Sequence, residues 1–238
     1  MQLIIDSFPL FLQGLANTFK LALTTLLFST IVAVIFGLMS ISRFRLVRWI
    51  ARSLVEFVRA IPLVVNLLFV YFGAPLVGVP LDPFAAATIG LTSWGAANGA
   101  EIVRGGFNAV SKHQRESAMA LGLRGWEIMV YVLAPQVLLP IIPPFTGLFS
   151  VLVQATSLAS LIGTLEFLRT AQIVVERTTL MTGFSPAFLV YGFVLIVYFI
   201  ICFSLAGATR VLERYLIERT SRRGLKVQKL AQQAAEGI

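Results

Sequence analysis

At 238 residues, with 58% hydrophobic and 13% charged residues and a mean hydropathy of +0.88, the chain carries more apolar surface than one soluble core can hide from water. That excludes an ordinary water-soluble domain and indicates an all-α integral membrane protein embedded in lipid. The formal charge of +8 does not indicate nucleic acid, because the basic residues fall into blocks separated by long uncharged runs, with no aromatic residues interleaved for stacking.

The first uncharged run, Leu21 to Ile41, is long enough to span, with Lys20 placed to snorkel outward and Arg43 closing it. Met1 to Phe19 has neither a basic n-region nor a small-residue cleavage site, so this span is expected to act as the insertion signal. A second run covers Ala60 to Leu81. It is expected to begin near Leu54 and to end near Phe72, ahead of Gly73, Pro75, Gly78 and Pro80. The third, Pro83 to Ala100, has Asp82 as N-cap and Pro83 at the first helical position, and should continue through Glu101 and Arg104. From Ile128 to Leu165 no charge occurs. One span is expected at about 137 to 157 within this stretch, with an amphipathic segment before it, a turn after it, and room for a re-entrant element. Pro186 should precede a last span at about 187 to 212.

About five spans put the termini on opposite sides of the membrane. With the N-terminus outside and the C-terminus in the cytoplasm, only Lys20, Arg169 and Arg177 face outward, and the other sixteen of the nineteen basic residues lie inside. Residues 1–217 then form the transmembrane domain, with a cytoplasmic loop at about 111–135. Residues 218–238 form a basic cytoplasmic tail. The single His113 and the single Cys202 offer no metal cluster and no intrachain disulfide. No phosphate-cradling glycine loop and no nucleophile–base set is present, so the chain is not expected to be an enzyme or to hold a cofactor.

The loop Ser111 to Pro135 reads as a short polar helix. Ser111 with Gln114 fits a capping box, and Gly122 followed by Leu123 fits a glycine stop. About ten residues, or roughly 15 Å, is too short to span. Small Ser117 and Ala118 would let another backbone approach, and Lys112, Arg115 and Glu116 can pair with a partner's charges.

Glu116–Gly122, ESAMALG, followed after nine residues by Val132, Ala134 and Pro135, resembles the EAA loop of binding-protein-dependent ABC importer permeases. Glu116, Ala118, Gly122 and Pro135 stand in register, and Ser117 replaces the first Ala. The resemblance implies a coupling helix, with Glu116, Ser117, Ala118, Gly122 and Pro135 contacting the ATPase. It extends from about Gly14 to Leu216 and is similar in particular to the histidine, glutamine and arginine type of importer. Leu54 to Pro75 resembles the family's second-helix signature, in which an Arg and a Pro three apart, here Arg59 and Pro62, open an apolar run. Ala100 to Val110 resembles the end of the third helix. Gln154 to Phe167 resembles a KDTSL segment with Gln154 and Ala155 in place of Lys and Asp, and Asn98 stands near a usual Tyr.

The implied fold is that of a type I ABC importer permease in a bacterial inner membrane. The implied partners are cytoplasmic ABC ATPase subunits, a second permease chain, an extracytoplasmic substrate-binding protein and a polar amino-acid substrate. A carboxylate and an ammonium leaving water each need a fixed partner, and the candidates along the route are Asn98, Glu101, Gln154, Thr156 and Ser157. Glu166 is a further candidate, as an outward carboxylate, an N-cap or a partner of Arg169. Gly95 and Gly99 read first as close packing positions, and Glu101 with Arg104 as an ion pair or a gate. The alternative function is an ion-coupled secondary transporter, whose polar residues would serve an ion path.

Overall fold

A computed structural model describes residues 2–236, all in helices and short connecting turns. The helices are α1 (Gln2–Asp6), α2 (Phe8–Ser40), α3 (Arg45–Ala60), α4 (Leu63–Gly73), α5 (Pro83–Ala109), α6 (Lys112–Ala120), α7 (Gly125–Glu127), α8 (Ala134–Ala155), α9 (Phe167–Thr182) and α10 (Ala187–Glu236). A wide π turn, Ile128–Leu133, leads into α8, and a 3-10 stretch, Thr156–Ile162, leaves it.

Three helical stretches are long and apolar enough to cross a membrane, namely Phe8–Ser40, Gly125–Ile162 and Ala187–Val211. A fourth arises if α3 and the stretch Leu63–Val77 count as one span broken by a 101° bend. That bend corrects the expectation of a continuous second helix beginning near Leu54. Pro62 has no N–H to continue the ladder, and it holds Ile61 extended at φ −86°, ψ 130°, so the helix stops at Ala60 and a new one starts at Leu63. The end of that second helix at Gly73 lies where the Gly/Pro series placed it.

α5 is the central helix, packed by α2, α3, α4 and α8. Asp82 Oδ1 accepts from the N–H groups of Phe84 and Ala85 at 2.9 and 3.0 Å, and Pro83 follows as expected. Its 27 residues would reach about 40 Å at 1.5 Å per residue. Glycine, alanine, serine and asparagine keep it out of the strongly apolar set. Those small residues set the packing distance: a Cβ on Gly95 would sit 2.6 Å from Ser29 Oγ of α2 and 2.9 Å from Leu152 of α8, and one on Gly99 would sit 2.7 Å from the Ala33 methyl. Close backbone approach of this kind replaces hydrophobic drive between helices in lipid.

α2, at 33 residues, is longer than the expected first span, and its N-terminal half packs against α9, a helix for which the sequence reading had no element. Phe11, Phe167 and Phe193 meet edge-on there with ring centroids 5.2 to 6.1 Å apart. Asn17 Nδ2 donates to the Leu165 carbonyl at 2.7 Å, and the Phe167 N–H donates to Thr18 Oγ1 at 3.0 Å. α8 passes through Pro140, Pro143 and Pro144 without breaking, as neighbouring helices in a bundle permit. α10 packs on α8 and α9 and runs past the 217/218 boundary to Glu236.

Gly99→Val should lower the melting temperature in detergent, at a cost of about 1–3 kcal/mol for overpacking. Gly147→Ala, where an added methyl meets nothing within 4 Å, should leave it unchanged. A Gly99→Val protein melting with wild type would contradict the packing described.

Candidate functional site: a capped helix below the bundle and polar clusters within it

α6 is closed at both ends by local chemistry. Ser111 Oγ accepts from the His113 N–H at 3.3 Å. At the far end Gly122 takes φ +79°; its N–H donates to the Met119 carbonyl at 2.9 Å, and the Leu123 N–H to the Ala118 carbonyl at 3.2 Å. These are the paired bonds of a Schellman stop. Gln114 does not complete the expected capping box: its Oε1 accepts from Gln136 Nε2 at 3.4 Å, which fastens α6 to the first turn of α8, where Pro135 is exposed.

Ala118 is buried at 4% exposure where α6 meets the π turn. Glu116, Ser117, Met119 and Leu121 face outward, Leu121 at 81% exposure, so the five residues expected to contact an ATPase divide. Ala118 seats the helix, Gly122 stops it, and Glu116, Ser117 and Pro135 are accessible.

Inside the bundle, the Pro62 break brings Arg59 at the end of α3 against α5. Arg59 Nε donates to Asn98 Oδ1 at 3.4 Å, and its guanidinium lies 3.9 Å from Glu101 Oε2. Arg104 grips Glu101 with both ends of its fork, Nε at 2.8 Å on Oε2 and a terminal nitrogen on Oε1. Asn98 Nδ2 donates to the Trp94 carbonyl at 2.9 Å. One turn beyond the break, Asn66 Nδ2 donates to the Gly90 carbonyl and to Ser93 Oγ at 2.8 and 2.7 Å, tying α4 to α5.

Glu166 forms a second, separate cluster and is fully buried. It is the N-cap of α9, accepting from the Leu168 and Arg169 N–H groups at 2.9 and 2.6 Å and from the Tyr198 hydroxyl at 3.0 Å. Burial pushes its carboxyl above the ordinary value, and the backbone N–H donors pull it back. The Arg169 side chain turns instead to Gln172 and Glu176. Thr156 is fully buried and donates to the Val153 carbonyl at 2.7 Å; Ser157 Oγ donates to the Gln154 carbonyl, and the Gln154 side chain is exposed. Asn98 and Glu101 are thus brought together, whereas Gln154, Thr156, Ser157 and Glu166 gather at the far end of α8.

The profile of the "Binding-protein-dependent transport system inner membrane component" family matches residues 29–217. The chain belongs to that family. The permease is 31% identical to the probable glutamine ABC transporter permease protein GlnM of Bacillus subtilis (strain 168), over 90% of its own length and 96% of that protein's. It is 34% identical to the probable amino-acid ABC transporter permease protein YckA of the same strain, over 74% of its own length and 78% of that protein's. A crystal structure of an amino acid ABC transporter with histidines superposes with a TM-score of 0.80 at 28% identity, covering 89% of this chain and 96% of that one. An inward-facing form of the MetNI methionine ABC transporter, at 19% identity and a TM-score of 0.72 over 88% of this chain and 97% of that one, shares the fold. Members of this family are multi-pass inner-membrane transport subunits whose ATPase is a separate chain.

The Glu101–Arg104 pair was expected and is present; sequence reasoning missed that Arg59 meets Asn98 and Glu101, and it missed Tyr198 beside Glu166. The Arg59 and Pro62 spacing was visible. What it positions depends on a partner 39 residues away.

Glu166→Ala should destabilise the permease by about 1–2 kcal/mol for the lost cap, with a further cost for the unpaired Tyr198 hydroxyl. Glu166→Gln, which keeps an acceptor oxygen, should cost less. Melting curves in detergent measure both, and an Ala variant as stable as wild type would contradict the cap.

Proposed function

We propose that the permease is one of two membrane subunits of an ABC importer for polar amino acids, with the N-terminus outside, the C-terminus in the cytoplasm, and α6 docking on a cytoplasmic ATPase. A binding protein delivers the substrate from outside, and nucleotide-driven closure rocks the helices between outward-open and inward-open states. Five crossings follow if α2, the bent pair α3–α4, α5, the α8 stretch and α10 each span once. The placement of sixteen of the nineteen basic residues on one side supports the orientation.

The observation that carries the reading is the geometry of α6. It is nine residues long, capped at both ends, fixed by one face to the π turn before α8, and open on the other. Val110 and Ser111 alone separate it from the last turn of α5, so a push on α6 reaches both α5 and α8. The relatives, which include permeases named for glutamine, arginine and cystine transport, support an amino-acid substrate. For the route itself, Asn98 and Glu101 on α5 form an inner polar station, and Gln154, Thr156, Ser157 and Glu166 an outer one. Family membership leaves the ion-coupled alternative without support.

Uptake by proteoliposomes holding the assembled complex and its binding protein tests this. Amino-acid uptake should require ATP and the ATPase, and should stop when either is omitted. Gly122→Val, which places a β-branched residue at φ +79°, should lower uptake by about 5- to 150-fold, the usual range of a coupling energy, while ATP hydrolysis continues. Uptake driven by an ion gradient alone, or full uptake by the Gly122→Val complex, would contradict the proposal.

A further inference from the structure

We infer that Arg59 is the group that binds the substrate's carboxylate, held in place by Asn98 at the vertex where α3 breaks into α4. The inference rests on the importer reading. It adds a residue to the inner station and changes the role given to Asn98.

On α3 a polar stripe recurs every three or four residues through Arg45, Arg48, Arg52, Glu56 and Arg59, on one face of the helix. Its early members have partners near the end of α2: Arg48 donates to the Ser42 carbonyl at 2.9 Å and Arg52 to the Ser40 carbonyl at 3.1 Å. Arg59 has no such carbonyl. It offers five N–H donors in a rigid fork. Its contacts are one long bond to Asn98 at 3.4 Å and an approach to Glu101 at 3.9 Å. Both Glu101 oxygens are already taken by Arg104. The cluster therefore sets the guanidinium groups of Arg59 and Arg104 against the single carboxylate of Glu101, with Glu56 near Arg104 rather than in an ion pair with Arg59. Arg59 is left as the surplus cation, with 39% of its side chain exposed.

A surplus cation between apolar runs is expensive unless an anion joins it or water reaches it. It also marks a pathway. A carboxylate matches the free edge of the guanidinium in shape as well as charge, because the two can form parallel N–H···O bonds. Every amino acid carries such a group whatever its side chain, so this contact recognises the class and leaves selection among amino acids to other positions. Asn98 is the positioning residue. Its Nδ2 is spent on the Trp94 carbonyl and its Oδ1 on Arg59, which orients the guanidinium and leaves the amide little to offer a substrate. The break at Pro62 supplies the geometry, since a helix continuing past Ala60 would carry α4 on in line with α3.

The test uses the assembled permease–ATPase complex. Reconstituted wild type and binding protein are first offered radiolabelled glutamine, glutamate, arginine and cystine to find the transported amino acid. Direct binding of that amino acid, and competition by its α-carboxamide, are then measured in detergent without the binding protein. Wild type should bind the amino acid saturably and reject the carboxamide. Arg59→Gln should weaken binding on the order of tenfold to a hundredfold, the worth of a hydrogen bond to a charged group, and should erase the discrimination between acid and amide. Arg59→Lys should restore part of both, Asn98→Ala should weaken binding less than Arg59→Gln, and Arg45→Gln should bind as wild type. An Arg59→Gln complex that keeps the discrimination overturns the inference, as does a wild-type complex that transports yet shows no saturable binding. If ATP drives no uptake of any of the four by wild type, the importer reading fails first, whatever Arg59 does.

Discussion

The structure depends on how closely other helices can approach α5. Gly95 and Gly99 admit α2 and α8 to distances that a single methyl group would close off, and Gly90 does the same for Leu67 of α4. In lipid, where burying one apolar side chain against another gains little over burying it against acyl chains, this contact between backbones holds the bundle together. It also explains why the central helix is among the less apolar ones. A helix surrounded by protein needs small residues on its faces, and it can carry Asn98, Glu101 and Arg104 because Arg104 pairs with Glu101 along the helix and Arg59 of α3 reaches Asn98 and Glu101.

The same helix links the two functional regions. Its C-terminal end passes through Val110 and Ser111 into α6, and Gln114 of α6 reaches Gln136 at the foot of α8. Its middle faces the Arg59 vertex. Under the proposed coupling role, movement of α6 would reach two helices whose small-residue contacts fix their spacing. Rigid-body rocking suits such an arrangement better than local deformation, because packed interfaces switch between discrete states.

Much of this was legible in the sequence. Asp82 with Pro83 marked the start of α5, and Ser111 with Gly122 marked both ends of α6, because capping is written in adjacent residues. The bend at Pro62 was not legible as a bend. Hydropathy is continuous in sequence from Ala60 through Pro62 to Phe72, and the direction of α4 is set by its packing on α5 through Asn66 and Leu67. α9 was given no element in the sequence reading because Arg169, Glu176 and Arg177 hide its apolar face, although Glu166 before it and Gly183 after it, at φ +75°, were its start and stop signals. The pairing of Asn98 with Arg59 and of Glu166 with Tyr198 joins residues 39 and 32 positions apart; such contacts follow from helix packing and leave no local trace.

The central claim is that α6 sits on the cytoplasmic side against a separate ATPase and passes its motion upward. It is tested most directly by replacing the sole cysteine, Cys202, with serine and placing a cysteine at Ser117 in the assembled complex in membrane vesicles. With a second cysteine placed on the ATPase face that receives α6 and a mild oxidant added, the account predicts a disulfide cross-link from residue 117 to the ATPase subunit that blocks uptake until it is reduced. Labelling of residue 117 by an impermeant thiol reagent from the outer face, with no cross-link to the ATPase, would contradict it.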